Sequence, residues 1–272
     1  MRAWLLWSGL LALAGCAASR GSGPNAPAEV PTARSAPENV AEAREVALDP
    51  EAVDTSTEAW ASEPLETPWW SEPEPTRSLL AQTGTVSFDL PQSDDPSVTA
   101  WIELLSGRGR RLFEIWLARS SRFVPLFFEV LDRYQLPRDL VFLAMVESGF
   151  SPRAHSWASA AGPWQFMPVT ARRYGLRVGF WVDERRDFVA STEAAARHLT
   201  WLYSVFEDWH LAMAAYNAGA GRIRSALSRR GVSDFWSLQK TRRIRRETKQ
   251  YVPKILAAAV VAKTPERFGL GP

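Results

Sequence analysis

The sequence contains few residues that bind metals or form covalent cross-links. Cys16 is the one cysteine, so no disulfide can form within the chain and no cysteine-based zinc site can be built. The three histidines, His155, His198 and His210, show no HExxH or other metal-ligand spacing. We therefore expect neither a metal nor a cofactor. His155 stands beside Ser156, but a catalytic triad requires neighbours in space, so His155 is interpreted as an ordinary loop residue.

The N-terminal apolar run is too short for a stable membrane span. Residues 3–14 follow Arg2 and fall below the roughly 20 apolar residues that a spanning helix needs. Residues 13–16, LAGC, resemble the bacterial lipobox, in which cleavage precedes a cysteine that is then lipidated. We interpret residues 1–16 as a lipoprotein signal peptide with lipidation at Cys16. A secretory signal or short membrane helix that happens to contain a cysteine is the alternative.

The residue after the cysteine predicts where such a lipoprotein is sorted. Bacterial lipoproteins that stay in the inner membrane usually have Asp at this position, whereas this chain has Ala17. The resemblance therefore implies the periplasmic face of the outer membrane, with the protein held there by a lipid anchor at Cys16. Several acyl chains together anchor a protein stably where one is marginal.

Charge and proline are divided unevenly along the chain. Residues 17–97 carry 15 acidic residues, 4 Lys or Arg and 11 of the 19 prolines. This composition cannot bury enough apolar surface to offset chain entropy, so residues 17–97 are predicted to form a disordered acidic tether. Trp60, Trp69 and Trp70 interrupt it, either as a segment that docks on the domain or as aromatic residues in a coil, and we favour the coil.

The rest of the chain is basic. Residues 98–272 carry 27 Lys or Arg against 15 acidic residues, which favours a polyanionic partner. Nucleic acid is one candidate and peptidoglycan, with carboxylates on its stem peptides, is another; a solvated basic face without a partner is the third. An exported lipoprotein rarely meets nucleic acid, so we expect no nucleic-acid partner. The oligomeric state stays open, with a monomer expected.

Apolar periodicity over residues 98–268 predicts a mainly α fold. Three apolar stripes cover residues 98–135, and Pro125 is assigned to the first turn of the third. Asp187 or Ser191 is the expected N-cap of a helix that runs through Phe206. A last helix is expected to contain the apolar run Val252–Val261.

One acidic residue lies at the end of an apolar helix predicted for residues 138–149. Leu140, Leu143, Ala144 and Glu147 recur at i, i+3, i+4 and i+7, so they share one helix face. Burial and the negative end of the helix dipole both raise the pKa of a carboxyl group. We therefore expect Glu147 to be an acid that can protonate a leaving group at neutral pH. On pattern alone, a capping or salt-bridged structural acid is the commoner case.

Three sequence blocks occur in the order of a known enzyme family. They are ESGFSPRAHS at 147–156, GPWQFMP at 162–168 and AYNAG at 215–219, and they resemble the soluble lytic transglycosylase superfamily, most of all its membrane-bound lytic transglycosylase D branch. The resemblance covers about residues 98–268 and implies a lysozyme-like, all-helical catalytic domain behind the tether. LysM repeats, common in that branch, do not occur in this sequence.

The resemblance also implies roles for individual residues. Glu147 corresponds to the single catalytic acid of the family. The residues expected to contact the substrate or line the cleft are Ser156, Gln165, Met167, Tyr216, Asn217 and Tyr251. Trp164 and Phe166 could stack on sugar faces, although their alternation predicts that at least one points into the core. Ser159 replaces a family glycine and Pro163 a family leucine.

The implied activity is that of a peptidoglycan lytic transglycosylase, a carbon–oxygen lyase that acts on the glycan strands. Such an enzyme cleaves the β-1,4 bond between N-acetylmuramic acid and N-acetylglucosamine and forms 1,6-anhydro-N-acetylmuramic acid. Ordinary glycosidases use two carboxyl groups, and only the group between Asp183 and Asp187 offers a second one near Glu147. The alternatives are a lysozyme-like peptidoglycan hydrolase and a non-catalytic lipoprotein that binds peptidoglycan.

Overall fold

The computed structural model describes residue 80 and residues 85–228 and 231–270. The predictions for Cys16, Trp60, Trp69 and Trp70 lie outside these residues. Within the described part of the chain, nine α-helices and three short 3-10 segments are joined by loops, and the only extended pairings are isolated bridges. This confirms the mainly α fold class. No helix in the described part is both long and apolar enough to cross a membrane.

The helices are numbered in chain order. They are α1 Pro96–Ser106, α2 Arg110–Arg133, α3 Val141–Ser148, α4 Pro168–Arg173, α5 Phe188–Phe206, α6 Trp209–Ala218, α7 Ala220–Leu227, α8 Phe235–Gln239 and α9 Arg246–Lys263. The 3-10 segments are Arg138–Leu140, Glu184–Arg186 and Pro265–Phe268.

Helix α3 is buried on all sides. It packs against α2 and α9, and each of its residues except Glu147 is buried. A helix that is apolar all round lies inside a core. The sequence predicted one buried face for this segment, whereas the structure buries all of its faces. Because Glu147 is the one partly exposed residue of α3, its carboxyl group lies where the core meets solvent.

Two left-handed residues end α3 directly after the acid. Gly149 has φ 55° and donates its N–H to the carbonyl oxygen of Met145 over 2.8 Å. Phe150 follows with φ 61°, and its side chain is fully buried. A left-handed conformation costs a residue with a side chain roughly 1–2 kcal/mol, which the burial of a phenylalanine ring can offset. The turn therefore fixes the end of the helix within two residues of Glu147.

Helix α2 contains a proline in its interior, which differs from the prediction. Pro125 was assigned to the first turn of a separate helix, but α2 runs without interruption from Arg110 to Arg133. Phe113, Trp116 and Phe127 on this helix are buried in the core. Apolar burial along both halves of the helix stabilises it enough to tolerate the backbone hydrogen bond that a proline removes.

A side chain replaces the hydrogen bond that a second proline removes from α9. Pro253 has no N–H with which to bond the carbonyl oxygen of Lys249, four residues earlier. The side-chain amide of Gln239, at the end of α8, donates to that oxygen over 3.0 Å and to the hydroxyl of Ser97 over 3.0 Å. The helix therefore passes through Pro253 with this carbonyl oxygen satisfied, and α8 and α1 are tied to α9.

The folded part of the chain begins earlier than the predicted boundary at residue 98. Leu90 is buried in the core. The backbone N–H of Asp89 donates to a carboxylate oxygen of Asp139 over 2.7 Å, and Lys263 pairs with the other oxygen of that buried carboxylate. Residues 85–97, which composition assigned to the tether, are thus held against the start of α3 and the end of α9.

A buried arginine fixes the loop that connects α3 to α4. The guanidinium of Arg185 makes two hydrogen bonds to Asp183 and donates to the carbonyl oxygens of Ser159 over 2.6 Å and Phe166 over 2.9 Å. Gly162 lies directly against the backbone of Arg185. A β-carbon at position 162 would lie 1.8 Å from the carbonyl oxygen of Arg185, and the φ of Gly162 is +81°. Only glycine, which has no β-carbon, allows these two backbone segments to lie so close together.

We expect Gly162→Ala to lower the free energy of unfolding by about 3 kcal/mol or more, because the added methyl group meets backbone atoms and the φ is strained. Gly221→Ala is the matched control. Gly221 lies in α7 with nothing within 4 Å of the added carbon, so the same change should stabilise the protein by up to about 1 kcal/mol. Urea denaturation measures both values, and equal effects at the two positions would contradict this account.

Candidate functional site

The side chains of Glu147 and Tyr251 meet at the end of α3. The hydroxyl of Tyr251 donates to Oε1 of Glu147 over 2.5 Å. Tyr251 is 7% exposed. Burial, the charge of Glu147 and this hydrogen bond all raise the pKa of the Tyr251 phenol well above its usual value. Tyr251 therefore remains a proton donor to the carboxyl group at neutral pH. The raised pKa expected for Glu147 stays a prediction.

Tyr216 lies beside the same acid but donates its hydrogen bond elsewhere. Its hydroxyl donates to the carbonyl oxygen of Trp164 over 2.8 Å. Burial raises the pKa of the Tyr216 phenol well above its usual value, and the negative charge of Glu147 adds to the rise. The phenol thus connects α6 to the loop after α3 and forms part of the surroundings of Glu147. Its ring also contacts His198, with centroids 5.1 Å apart.

The side chain of Asn217 joins the end of α6 to the start of α9. Its amide nitrogen donates to Oε1 of Glu247 over 3.1 Å, and its amide oxygen accepts from the hydroxyl of Thr248 over 2.8 Å. Thr248 is buried, whereas Glu247 is exposed. This contact lies less than one helical turn from Tyr251. Asn217 therefore helps to hold the part of α9 that presents the tyrosine to Glu147.

Ser156 and Gln165 stabilise the loop between α3 and α4. The hydroxyl of Ser156 accepts a hydrogen bond from the N–H of Ala160 over 3.0 Å. The amide of Gln165 donates to the carbonyl oxygens of Ala154 over 3.2 Å and Gly162 over 2.9 Å. Both side chains are partly exposed. The direct contact of Ser156 with the acid or with a sugar, and the cleft-lining role of Gln165, stay predictions.

The apolar side chains that follow Gly162 divide between core and surface. Trp164 and Phe166 are both buried, and the indole N–H of Trp164 donates to the hydroxyl of Thr192 over 2.9 Å. The expectation that one of these rings could stack on a sugar was therefore wrong for both. Met167, the residue before α4, is exposed, so it can contact a ligand.

The acidic residues between Asp183 and Asp187 serve the fold. A hydrogen bond from Arg185 holds the pKa of the Asp183 carboxyl below its usual value. Glu184 pairs with Arg177, which lowers the pKa of that carboxyl too. The carboxylate of Asp187 accepts the N–H of Ala190 over 2.7 Å and caps α5, as predicted. These three carboxyl groups are thus engaged in ion pairs and a helix cap within their own segment.

Sequence reasoning missed two charged residues that shape the site. Arg185 was included only as a member of the polar segment between Asp183 and Asp187, and Glu247 was not singled out. Arg185 sits among four other charged residues in the run DERRD, and nothing in such a run distinguishes a buried arginine from its exposed neighbours. Glu247 lies four residues before Tyr251, on the same helix face, and this spacing was the available signal.

The part of the chain that the structure describes has no preformed metal-binding site. Residues 85–228 and 231–270 contain no group of three or more His, Asp or Glu side chains that could hold a metal ion.

Comparison with known proteins identifies relatives over the helical part. Residues 125–239 match the family described as Transglycosylase SLT domain. The chain is 48% identical over 145 residues to membrane-bound lytic murein transglycosylase D of Escherichia coli (strain K12), which covers 52% of this chain and 31% of that protein. It is 31% identical over 119 residues to membrane-bound lytic murein transglycosylase C of Glaesserella parasuis serovar 5 (strain SH0165), covering 39% of this chain and 33% of that protein.

A solved structure gives a weaker likeness. The lytic transglycosylase Slt of Pseudomonas aeruginosa, in an inactive mutant form, superposes with a TM-score of 0.45 and 22% sequence identity, covering 64% of this chain and 31% of that chain. The chain spans about a third of the length of these relatives.

Proposed function

We propose that the chain is a peptidoglycan lytic transglycosylase, since its residues 125–239 match the transglycosylase SLT domain family. The observation that carries the proposal is the hydrogen bond from Tyr251 to Glu147. It orients one carboxyl group at the end of a buried helix, at a point where that group is partly exposed. The matched motif around Glu147 and the likeness to murein transglycosylases over 145 residues support the substrate class.

One carboxyl group is enough for this reaction. Glu147 in its acid form protonates the oxygen of the β-1,4 bond, and the bond between that oxygen and C1 of N-acetylmuramic acid breaks. The resulting carboxylate then takes the proton of the C6 hydroxyl of the same sugar, whose oxygen forms a bond to C1. The products are a 1,6-anhydro end and a free 4-hydroxyl, no water is consumed, and Glu147 is protonated again.

An internal nucleophile explains why a second acid is dispensable. A tethered hydroxyl reacts with a large effective molarity, so no carboxylate is needed to activate a water. The acids from Asp183 to Asp187 are occupied in the fold, which favours this single-acid chemistry over an ordinary two-carboxyl hydrolase. Tyr251 acts on the carboxyl group by orienting it, and so is a positioning residue.

The remaining predicted residues are proposed to bind the glycan strand around Glu147. Met167 offers an exposed apolar surface at the end of the loop. Asn217 and Tyr216, which are partly exposed at the end of α6, are proposed to contact the N-acetyl group and the sugar next to the bond. Ser156 and Gln165 are proposed to form the wall of the cleft through the loop that they stabilise.

We also propose that the protein is a lipoprotein, anchored through Cys16 to the periplasmic face of the outer membrane and acting in murein turnover. The lipobox-like residues before Cys16 and the small residue after it support this proposal. The relatives over the helical part are named as membrane-bound.

Glu147→Gln should abolish the release of 1,6-anhydro muropeptides from purified peptidoglycan, with a fall in rate on the order of 10³-fold, because the amide cannot donate and then accept the proton. The change keeps the shape of the side chain, so the urea midpoint should not move. Glu129→Gln, at an exposed acid of α2, is the control. Mass spectrometry reads the products: a hydrolase would give a reducing end, heavier by one water.

Tyr251→Phe should lower kcat roughly 10- to 100-fold with KM little changed, because a hydrogen bond to a charged group contributes about 1.5–3 kcal/mol. The ring stays buried, so stability should fall far less than catalysis. Tyr134→Phe is the control, since the Tyr134 hydroxyl donates to Glu193 over 2.7 Å in a contact that involves none of the site residues. Equal losses of activity in the two variants would contradict a positioning role.

Cys16→Ser should prevent incorporation of a labelled fatty acid and move the protein out of the outer-membrane fraction. Ala17→Asp is the matched control, because it should leave lipidation intact and shift the protein to the inner membrane. Fractionation of the expressing cells measures both. Unchanged lipid labelling in Cys16→Ser would refute the anchor at that residue.

A further inference from the structure

Two aromatic side chains are almost fully exposed at the tip of the loop between α4 and α5. Phe180 is 90% exposed and Trp181 is 89% exposed, and their rings pack edge to face with centroids 4.8 Å apart. Soluble proteins rarely leave large neighbouring aromatic side chains in water unless the surface binds something. These two rings do not pack into the core of the domain, and they lie outside the sequence motifs around Glu147.

The tip is held in a defined conformation. The N–H of Gly179 donates to the carbonyl oxygen of Val182 over 2.8 Å, and Val178 and Asp183 form an antiparallel bridge below the two rings. Arg177 binds Glu184 across the base of the loop, with a shortest N–O distance of 2.5 Å. The aromatic side chains are therefore presented by a closed turn, so binding through them would cost little ordering of the backbone.

The base of this tip is fastened to the loop beside Glu147. Asp183, the last residue of the turn, is held by Arg185, and the same guanidinium donates to the carbonyl oxygens of Ser159 and Phe166. Trp157 on that loop is also 73% exposed. A buried arginine thus joins the exposed rings to the segment that carries the cleft residues, which makes the tip continuous with the candidate site.

We propose that Phe180 and Trp181 form an aromatic platform that stacks on the sugar rings of a glycan strand beyond the bond that is cleaved, an inference that rests on the proposed function. Sugar rings have faces of C–H groups that pack on aromatic rings. The arginines at the base of the turn are engaged within the fold, Arg177 with Glu184, Arg185 with Asp183, and Arg172 with the carbonyl oxygen of Val178. This favours the uncharged face of a sugar over an anionic lipid surface, which recruits clusters of basic residues.

The first test measures kinetics on substrates of two lengths with the full-length protein. For the double variant Phe180→Ala/Trp181→Ala, KM on long glycan strands should rise about tenfold, equivalent to about 1.4 kcal/mol, with kcat unchanged. Under this proposal a tetrasaccharide fills only the positions next to the cleaved bond, so activity on it should equal that of the unmodified protein. Tyr203→Ala, which removes another exposed ring, is the control and should change neither value. Equal losses on long and short substrates would overturn the proposal.

The second test measures binding without cleavage. In a Glu147→Gln background, the double variant should sediment less with purified peptidoglycan, while its recovery with phosphatidylglycerol vesicles should not change. Lost vesicle binding with retained peptidoglycan binding would overturn the platform in favour of a lipid surface. This arm does not depend on catalysis, so a protein that binds peptidoglycan through the tip yet releases no anhydro product would refute the proposed activity and leave the platform standing.

Discussion

The hydrogen bond between Tyr251 and Glu147 joins two residues that are 104 positions apart in the chain and lie on different helices. A glutamate side chain at the end of a short helix can adopt many rotamers. The short hydrogen bond from the buried Tyr251 phenol favours one of them. For this bond to form, Tyr251 on α9 must lie level with Glu147 at the end of α3. Much of the surrounding packing holds α9 in that position.

Several contacts along α9 contribute to this alignment. Gln239 satisfies the carbonyl oxygen that Pro253 leaves without a partner, Asn217 binds the first turn, and Lys263 pairs with Asp139 at the far end. Each contact is polar and each is supplied by a different part of the chain. Polar contacts inside a packed core restrict geometry more than apolar ones do, because an unpaired partner is costly. Together these contacts fix the position of α9, and with it the position of Tyr251 relative to the Glu147 carboxyl group.

The sequence predicted that Glu147 and Tyr251 belong to one site, and the hydrogen bond between them agrees with this; their chemical roles stay predictions. Asp187 could be identified as a cap because capping is a local interaction. For Trp164 and Phe166 the prediction that at least one ring points into the core is confirmed, but alternation could not show that both do. Residues 85–97 were misjudged because composition averages over a window, whereas the burial of Leu90 and the bond to Asp139 depend on partners far away in the chain.

The anchorage of residues 85–97 has a mechanical consequence. The chain enters the domain beside Asp139, just before α3 begins, whereas Glu147 lies near the other end of the same helix, roughly 12 Å away at 1.5 Å per residue. Tension applied from the N-terminal side would first load the hydrogen bonds of Ser87 to Lys263 and of Asp89 to Asp139. Any pull transmitted through residues 85–97 therefore reaches the domain at the start of α3 and not at the end that holds the Glu147 carboxyl group.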